Sequence, residues 1–317
     1  MPTLLKLVAA AAMTCLTSLS FAQTAASFPN RNIKIVVPFA PGGSSDLLAR
    51  LVAQRMTADW GQPVIVENKP GAGATLGADQ VAKSPADGYT LLLAATHHTI
   101  AQNVFKNLPY DIGRDFAPVS VIALIPNMVV INAKIPANTI QEFVALAKAQ
   151  PGKLNYGSAG SGTAHHLIGE MFNLLAQTNI IHIPYKGSAP GLVDLAAGQT
   201  QFMIDTINTV LPYVRDNRLR GLAVTSIKRS SLLPDLPTLA ESGMPGFDAA
   251  AWQGIVVPTG TPADIIQKLN TEVNKALAHP DLRARLAAQG AEILGGTPAE
   301  YANHLRTEMP RWAKAVK

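Results

Sequence analysis

Two short glycine-rich segments, each between an apolar run and an amphipathic stretch, are the residues best suited to binding chemistry. The first reads from Lys34 to Asp46 and the second from Asn155 to His166. Apolar residues recur after each segment at the spacing of one helix face, so a helix is predicted to begin just past the glycines. The first N–H groups of a helix lack partners and carry partial positive charge, and glycine lets an anion approach them. The pattern predicts two anion-binding loops, with Asp46 and His166 at equivalent positions in the two first helical turns.

Ser158 raises the alternative of a serine hydrolase. It lies in the stretch Tyr156-Gly-Ser-Ala-Gly160, which departs from the nucleophile-elbow pattern at its first position, where Tyr replaces Gly. Asp205 and His304 follow it in the order Ser, Asp, His. We expect no base close to Ser158 within its own half of the chain. This favours binding over catalysis, and the chain is not predicted to be an enzyme.

Metal and nucleotide sites have less support. His165, His166 and Glu170 include a pair at helical spacing, but no further ligand lies nearby in the sequence to complete a metal site. Neither segment has the Lys-Ser/Thr pair of a Walker motif, and Gly71-Ala-Gly73 does not continue to a glycine at the dinucleotide-binding spacing. We expect no metal and no cofactor. Glycines that only form helix-entry turns, without a ligand, are the simplest alternative to binding.

The first residues read as an export signal. Lys6 precedes a largely Leu, Val and Ala segment, and Ser20-Phe-Ala22 offers small residues at both key positions before Gln23. Residues 1–22 are therefore predicted to be a cleaved signal peptide, with an N-terminal membrane anchor as the alternative. Cys15, the one cysteine, lies inside that segment, so the mature chain is predicted to have no disulfide and no thiolate nucleophile.

Length and composition are typical of a globular protein of two domains. Removing residues 1–22 from the 317 leaves roughly 295 residues, which is long for a single core. The formal net charge is +5, but the basic residues are scattered and have no interleaved aromatics. A nucleic-acid partner is therefore not expected.

Strand and helix patterns alternate along the chain, which predicts an α/β fold with mostly parallel sheets. The order strand, glycine loop, helix, strand, second loop, helix occurs in both halves. Two extended stretches, residues 119–131 and 249–257, are interpreted as crossings between two lobes. The predicted domains are residues 23–121 plus 250–317 for the first, and residues 122–249 for the second.

A helical tail follows the second crossing. Thr261 is predicted to be its N-cap and Pro262 its first helical residue, with an apolar stripe that includes Ile265 and Leu269. Because the chain crosses twice, we expect this tail to pack on the first domain.

A series of short motifs runs in a fixed order along nearly the whole mature chain. They are Val37-Pro-Phe-Ala-Pro-Gly-Gly43 with Asp46, Val66-Glu-Asn-Lys-Pro-Gly-Ala-Gly73, Pro85-Ala-Asp-Gly-Tyr-Thr-Leu91, Tyr156-Gly-Ser-Ala-Gly-Ser-Gly-Thr163 with His166-Leu167, Pro184-Tyr-Lys-Gly187, Arg218-Leu-Arg-Gly-Leu-Ala-Val-Thr225, Leu236-Pro-Thr-Leu-Ala-Glu-Ser-Gly243 and Trp252-Gln-Gly254. Each is unspecific alone, but together they are very specific. Through them the chain resembles the periplasmic substrate-binding proteins of tripartite tricarboxylate transporters, the Bug family.

The resemblance implies a two-lobed periplasmic-binding-protein fold that closes by a hinge on a small organic acid. It implies that the acid's carboxylate is held by backbone N–H groups of the two glycine loops and by ordered water. The ligand-binding residues carried over by motif are Phe39, Gly42, Gly43, Ser44, Thr96, Ser158, Gly160, Ser161, Gly162, Thr163, His166, Tyr185 and Asp205. The paired histidines His97 and His98 stand where such proteins can differ, and so can set specificity.

The implied partners are a small organic acid and the integral-membrane permease subunits of a tripartite transporter, with the protein itself a periplasmic monomer. A ligand sensor that feeds a membrane signalling protein is an alternative with the same binding chemistry. Citrate, dicarboxylates, aromatic carboxylates and nicotinate-like acids all fit the sequence.

Overall fold

The computed structural model describes residues 27–315. The predicted signal peptide and Cys15 lie outside the described residues, so both interpretations stay predictions. Within residues 27–315 no helix is long and apolar enough to cross a membrane.

Strands and helices alternate along most of the chain. The strands are β1 (Ile33–Val37), β2 (Val64–Asn68), β3 (Thr90–Ala95), β4 (Phe116–Asn132), β5 (Asn155–Ser158), β6 (Ile181–Pro184), β7 (Phe202–Thr206), β8 (Leu219–Val224), β9 (Ala250–Pro258) and β10 (Glu292–Gly295). The helices are α1 (Ser44–Trp60), α2 (Thr75–Ala82), α3 (Thr96–Val104), α4 (Ile140–Ala149), α5 (Ala164–Ala176), α6 (Ser188–Ala197), α7 (Ile207–Arg215), α8 (Ala263–Ala278), α9 (Pro280–Ala287) and α10 (Pro298–Ala315).

The first lobe is built on three parallel strands. β1 lies between β2 and β3 and pairs with both in parallel. Its β-branched residues Ile33, Ile35 and Val37 are fully buried and share one core with apolar residues of α1 and α8. Parallel strands are covered on both faces, which explains why these runs are almost continuously apolar.

The second lobe repeats this arrangement. β5 lies between β6 and β7 and pairs with both in parallel. Tyr156, Phe172 and Phe202 are fully buried in its core. The predicted order of strand, loop and helix in both halves is therefore confirmed.

β4 joins the two lobes. Its first part pairs antiparallel with β9, from Phe116 opposite Pro258 to Pro126 opposite Ala250. From Asn127 onward it pairs antiparallel with β7 and β8 of the second lobe. β9 also pairs with β3 and so returns the chain to the first lobe. The two predicted extended crossings are therefore present, while the exact domain limits stay a prediction.

The helical tail begins differently from the prediction. α8 starts at Ala263 with Pro262 as its N-cap residue, whereas the hydroxyl of Thr261 donates to the carbonyl of Pro258 at 2.7 Å. The tail does pack on the first lobe, since Ile265 and Leu269 belong to its core. α10 goes further than expected, because Trp312 near its end is buried in the core of the second lobe.

Four loops connect the parallel strands to the helices that follow them. L1 (residues 38–43) leads from β1 to α1, and L2 (residues 69–74) from β2 to α2. L3 (residues 159–163) leads from β5 to α5, and L4 (residues 185–187) from β6 to α6. All four leave the carboxyl ends of parallel strands, the edge at which open α/β sheets bind ligands.

Candidate functional site

A cavity of about 40 Å³ lies between the lobes, where L1 and L3 face each other. It is lined by Phe39, Gly43, Ser44, Ser45, Ala95, Thr96, His97, Ala159, Thr163, Ala164, His165, Ser188, Thr206, Ala251 and Gln253. None of these lining residues, all from the described range 27–315, is an Asp, Glu, Lys or Arg. Its polar character comes from hydroxyls, an amide, two imidazoles and the backbone.

Five helices begin at this cavity. The wall includes residues of the N-cap or first turn of α1, α3, α5, α6 and α7, represented by Ser44, Thr96, Ala164, Ser188 and Thr206. The first N–H groups of each helix have no partner within the helix, and each helix start carries partial positive charge. The site is therefore suited to an anion without any cationic side chain.

Two of these helix starts were not predicted. α3 begins at Thr96 directly after β3, and α7 begins at Ile207 directly after β7, with no loop and no glycine between. No glycine-rich turn precedes either helix, so the sequence pattern that marks α1 and α5 is missing here. A polar residue that directly ends an apolar strand, as Thr96 and Thr206 do, is the signal that could have located them.

L1 is closed by a buried carboxylate. The N–H of Gly42 donates to Oδ2 of Asp46 at 2.9 Å, Arg50 Nε donates to the same oxygen at 3.0 Å, and Asn68 Nδ2 donates to Oδ1 at 2.9 Å. Burial by itself raises the pKa of Asp46, but the hydrogen bonds from Arg50, Gly42 and Asn68 outweigh it and lower this pKa. Asp46 is therefore a structural anion that fixes the turn.

L3 is closed by an imidazole at the matching position. The N–H of Gly162 donates to Nδ1 of His166 at 3.1 Å, and the His166 ring stacks on His182 with ring centroids 3.9 Å apart. Burial lowers the pKa of His166, which keeps its nitrogen free to accept. The predicted equivalence of Asp46 and His166 is confirmed.

Ser158 has a base beside it, contrary to expectation. Its Oγ lies 2.6 Å from Nε2 of His182, which reaches it from the adjacent strand because Tyr156 pairs with His182 in the β5–β6 register. Burial lowers the pKa of His182 to about 4. Ser158 is fully buried and also accepts from the N–H of Gly160 at 3.1 Å.

This Ser–His pair holds the start of L3 in place. His304, the third member of the imagined triad, packs edge-on against Trp252 with ring centroids 5.2 Å apart. The geometry therefore gives the serine a structural part and assembles no triad with His304.

The predicted binding residues divide into two groups. Phe39, Gly43, Ser44, Thr96 and Thr163 lie in the cavity wall. Gly42, Ser158, Gly160, Ser161, Gly162, His166, Tyr185 and Asp205 lie behind or beside it. Tyr185, for example, donates its hydroxyl to Asp194 at 2.8 Å. The ligand contacts of all thirteen stay predictions.

His165, and not His166, belongs to the cavity wall. Its Nδ1 lies 3.5 Å from Oδ2 of Asp205, too far for a formed hydrogen bond, so both atoms lack a partner among the described residues. The other oxygen of Asp205 accepts from the backbone and hydroxyl of Thr206 and from the hydroxyl of Thr209. Neighbouring helical positions differ by about 100° in direction, so the choice between two adjacent histidines depends on where the helix begins.

The loops of the two lobes touch across the cavity. L1 and L2 of the first lobe contact L4 and L3 of the second lobe, respectively. The N–H of Ala40 in L1 donates to the carbonyl of Lys186 in L4 at 3.1 Å. A Cβ at Gly187 would lie 3.1 Å from Ala40 N, and a Cβ at Gly73 would overlap the carbonyl oxygen of Ser161. These glycines therefore permit a closed arrangement of the lobes.

The described residues contain no group of three or more His, Cys, Asp or Glu side chains placed to hold a metal ion. The imagined set of His165, His166 and Glu170 is accordingly not assembled. Glu170 instead accepts a hydrogen bond from the hydroxyl of Tyr156 at 2.5 Å.

The chain is similar to known proteins in both sequence and structure. Residues 48–317 match the family described as "Tripartite tricarboxylate transporter family receptor". Protein BugT of Bordetella pertussis is 38% identical over 296 residues, covering 93% of this chain and 91% of BugT.

Two solved structures are similar over nearly their full length. One is R. palustris Rpa4515 with adipate, at 37% identity and a TM-score of 0.88, covering 91% of this chain and 97% of that one. The other is MatC from Rhodopseudomonas palustris with bound malate, at 34% identity and a TM-score of 0.88, covering 92% of this chain and 100% of that one.

Proposed function

This chain belongs to the receptor family of tripartite tricarboxylate transporters, and from that premise we propose its function. We propose that it captures a small organic acid between its lobes and delivers it to a membrane permease. Proteins of this family and fold are periplasmic solute-binding proteins and not enzymes. Delivery, the permease subunits and export by a cleaved signal peptide are parts of the proposal.

The convergence of five helix starts on one cavity carries the proposal. A carboxylate there accepts from unpartnered backbone N–H groups and gains from several helix dipoles. The described residues that line the cavity include no carboxylate to repel it. The relatives solved with adipate and malate support the same class of solute.

We assign direct contact with the acid to the predicted residues in the cavity wall: Phe39, Gly43, Ser44, Thr96 and Thr163. The remaining predicted residues shape L1, L3 and the strand ends behind that wall. Since donors come from both lobes, the acid is fully coordinated only when the lobes are closed, and binding should favour the closed form.

The test of binding compares an acid with its uncharged counterpart. Native mass spectrometry of protein purified without unfolding identifies any acid that co-purifies. Titration calorimetry then compares adipate with adipamide and malate with malamide, which have similar shapes but no charge. We expect the acid to bind at least about tenfold more tightly than its amide, or 1.4 kcal/mol. Equal affinities, or no acid bound at all, would contradict the proposal.

Gly43→Val provides the matched variant. Gly43 has φ −80° and ψ 170°, which valine adopts without strain, and it lies in the cavity wall. Because Gly43 is the N-cap residue of α1, the variant should lose about 1 kcal/mol of stability without acid, remain folded, and yet fail to bind the acid. In cells that lack the natural protein, uptake of labelled acid should return with the wild type and not with Gly43→Val. Equal uptake with both would overturn delivery while leaving binding in place.

A further inference from the structure

Two adjacent buried histidines lie between the backbone of β3 and the cavity. His97 lines the cavity, and His98 lies behind it; they are 3% and 0% exposed. Nε2 of His97 and Nε2 of His98 are 3.1 Å apart, so one of them carries a proton and the other accepts it. Which one donates decides what His97 presents to a solute.

The backbone of Ala95 fixes the answer. Its N–H points at Nδ1 of His98 at 3.0 Å, and an amide N–H can only donate, so this Nδ1 must be the accepting nitrogen. The Ala95 carbonyl oxygen lies farther from the same atom, at 3.2 Å. His98 occupies the third position of α3 and so takes the part that a glutamate plays in a capping box. Its single proton is therefore on Nε2.

The proton positions then follow along the chain of contacts. Nε2–H of His98 donates to Nε2 of His97, and the proton of a neutral His97 is left on Nδ1. Burial lowers the pKa of His98 to about 3 and holds that of His97 well below its usual value, with His98 and His165 adding to the effect on His97. No described residue accepts a hydrogen bond from Nδ1 of His97, and the Phe39 ring packs edge-on against the imidazole with centroids 4.6 Å apart.

We propose that His97 sets the solute specificity of this cavity, as a neutral residue that donates Nδ1–H to an oxygen of the solute. This inference rests on the proposed function, because it concerns the same cavity. Once the helix-start N–H groups hold a carboxylate, a buried Nδ1–H that finds no acceptor on the solute is left unsatisfied, which costs binding free energy. The His97 donor therefore selects acids with a second oxygen-bearing group over monocarboxylic acids of equal length.

His98 is a positioning residue in this proposal. It does not line the cavity but holds the proton of His97 on Nδ1. His98→Phe removes that donor and should let His97 populate its other tautomer, without adding or removing a group in the cavity wall.

Calorimetry with matched acids tests the selectivity. The pairs are adipate with hexanoate and succinate with butyrate. The wild type should prefer the better-bound diacid by about 10- to 100-fold over its monoacid, as expected when a buried donor is left unmatched. His97→Phe should lose most of this ratio, and His97→Asn, whose amide N–H lies near the place of Nδ1–H, should keep it. An unchanged ratio in His97→Phe would overturn the proposal.

Nitrogen NMR of the imidazoles gives a readout that does not depend on binding. We expect His97 with a protonated Nδ1 and a bare Nε2 at pH 7, and a mixture of tautomers in His98→Phe. A His97 protonated on Nε2, or on both nitrogens, would overturn the proposal even if acids bind. If no acid binds the wild type, the proposed function fails, while the NMR result still decides the state of His97.

Discussion

L1 and L3 form the same turn and close it with opposite chemistry. In both, the N–H of a glycine donates to the side chain four residues later, Gly42 to Asp46 and Gly162 to His166. One acceptor is a carboxylate neutralised by Arg50, and the other is an imidazole stacked on His182. The fold therefore requires an acceptor at this position and not a particular charge.

The difference matters for an anionic solute. The carboxylate of Asp46 lies behind the donors of L1 and opposes an approaching acid, an effect that Arg50 offsets. L3 has a neutral side chain there, since the pKa of His166 is lowered by burial. We expect the second lobe to contribute more of the electrostatic attraction for the acid.

Among substitutions that add a single methyl group, the largest loss of acid affinity is expected where the loops touch across the cavity. Gly73 of L2 has φ +61°, and a Cβ there would overlap the carbonyl oxygen of Ser161 in L3. Gly73→Ala should therefore oppose closure without preventing folding. We expect the acid affinity, measured by calorimetry, to fall by roughly 1 to 3 kcal/mol, or up to about a hundredfold.

Gly61→Ala is the matched control. Gly61 has φ +68°, but a Cβ there meets nothing within 4 Å. Both variants carry the same left-handed strain, about 1 to 2 kcal/mol of stability. X-ray scattering should show acid-induced compaction in the wild type and Gly61→Ala but not in Gly73→Ala. Equal affinity of the two variants would mean that the loops do not meet in the bound form.

Much of this architecture is predictable from the sequence, because strand, glycine turn and helix recur with regular hydrophobic spacing. Asp46 and His166 follow from that spacing alone. His182 beside Ser158 does not, since it depends on the register of β5 against β6. Gln253 reaches the cavity from β9, and its Nε2 donates to Ser44 at 2.9 Å across 209 residues of sequence. Contacts between distant strands have no local pattern to indicate them.

The two caps can be compared directly by truncation. Asp46→Ala removes the acceptor of Gly42 and also leaves Arg50 and Asn68 without their partner, whereas His166→Ala removes the acceptor of Gly162 and one stacked ring. Each should lower the free energy of unfolding by about 1 to 2 kcal/mol, Asp46→Ala more than His166→Ala. Urea denaturation measures both. If only one of the two variants lost stability, Asp46 and His166 would not be equivalent caps.

Lowering the pH should destabilise L3 before L1, because the titratable groups of the two loops change protonation in different pH ranges. The pKa values of His166 and His182 are lowered on folding, that of His182 to about 4, so the unfolded chain binds more protons as the pH falls from about 7. The stability tied to L3 is therefore lost between about pH 7 and 4, on the order of 1 to 2 kcal/mol after solvent screening. The pKa of Asp46 is also lowered, so the stability tied to L1 is lost only below about pH 4. Urea denaturation of wild type and His182→Asn between pH 7 and 4 tests this, and an unchanged slope in the variant would contradict it.

The smallest change in acid affinity is expected from neutralising lysines near the loops. Lys34 and Lys69 both pair with Glu67 at 2.6 Å, so their charges are already matched at the end of β2. If backbone donors and helix dipoles hold the acid, changing Lys34, Lys69 or Lys186 singly to Met should alter its affinity by well under tenfold, or about 1.4 kcal/mol. The same calorimetry on Gly43→Val should show binding abolished. A large loss from one lysine, with little from Gly43→Val, would mean that a side-chain cation grips the solute and that the contrast between the two loop caps has no bearing on binding.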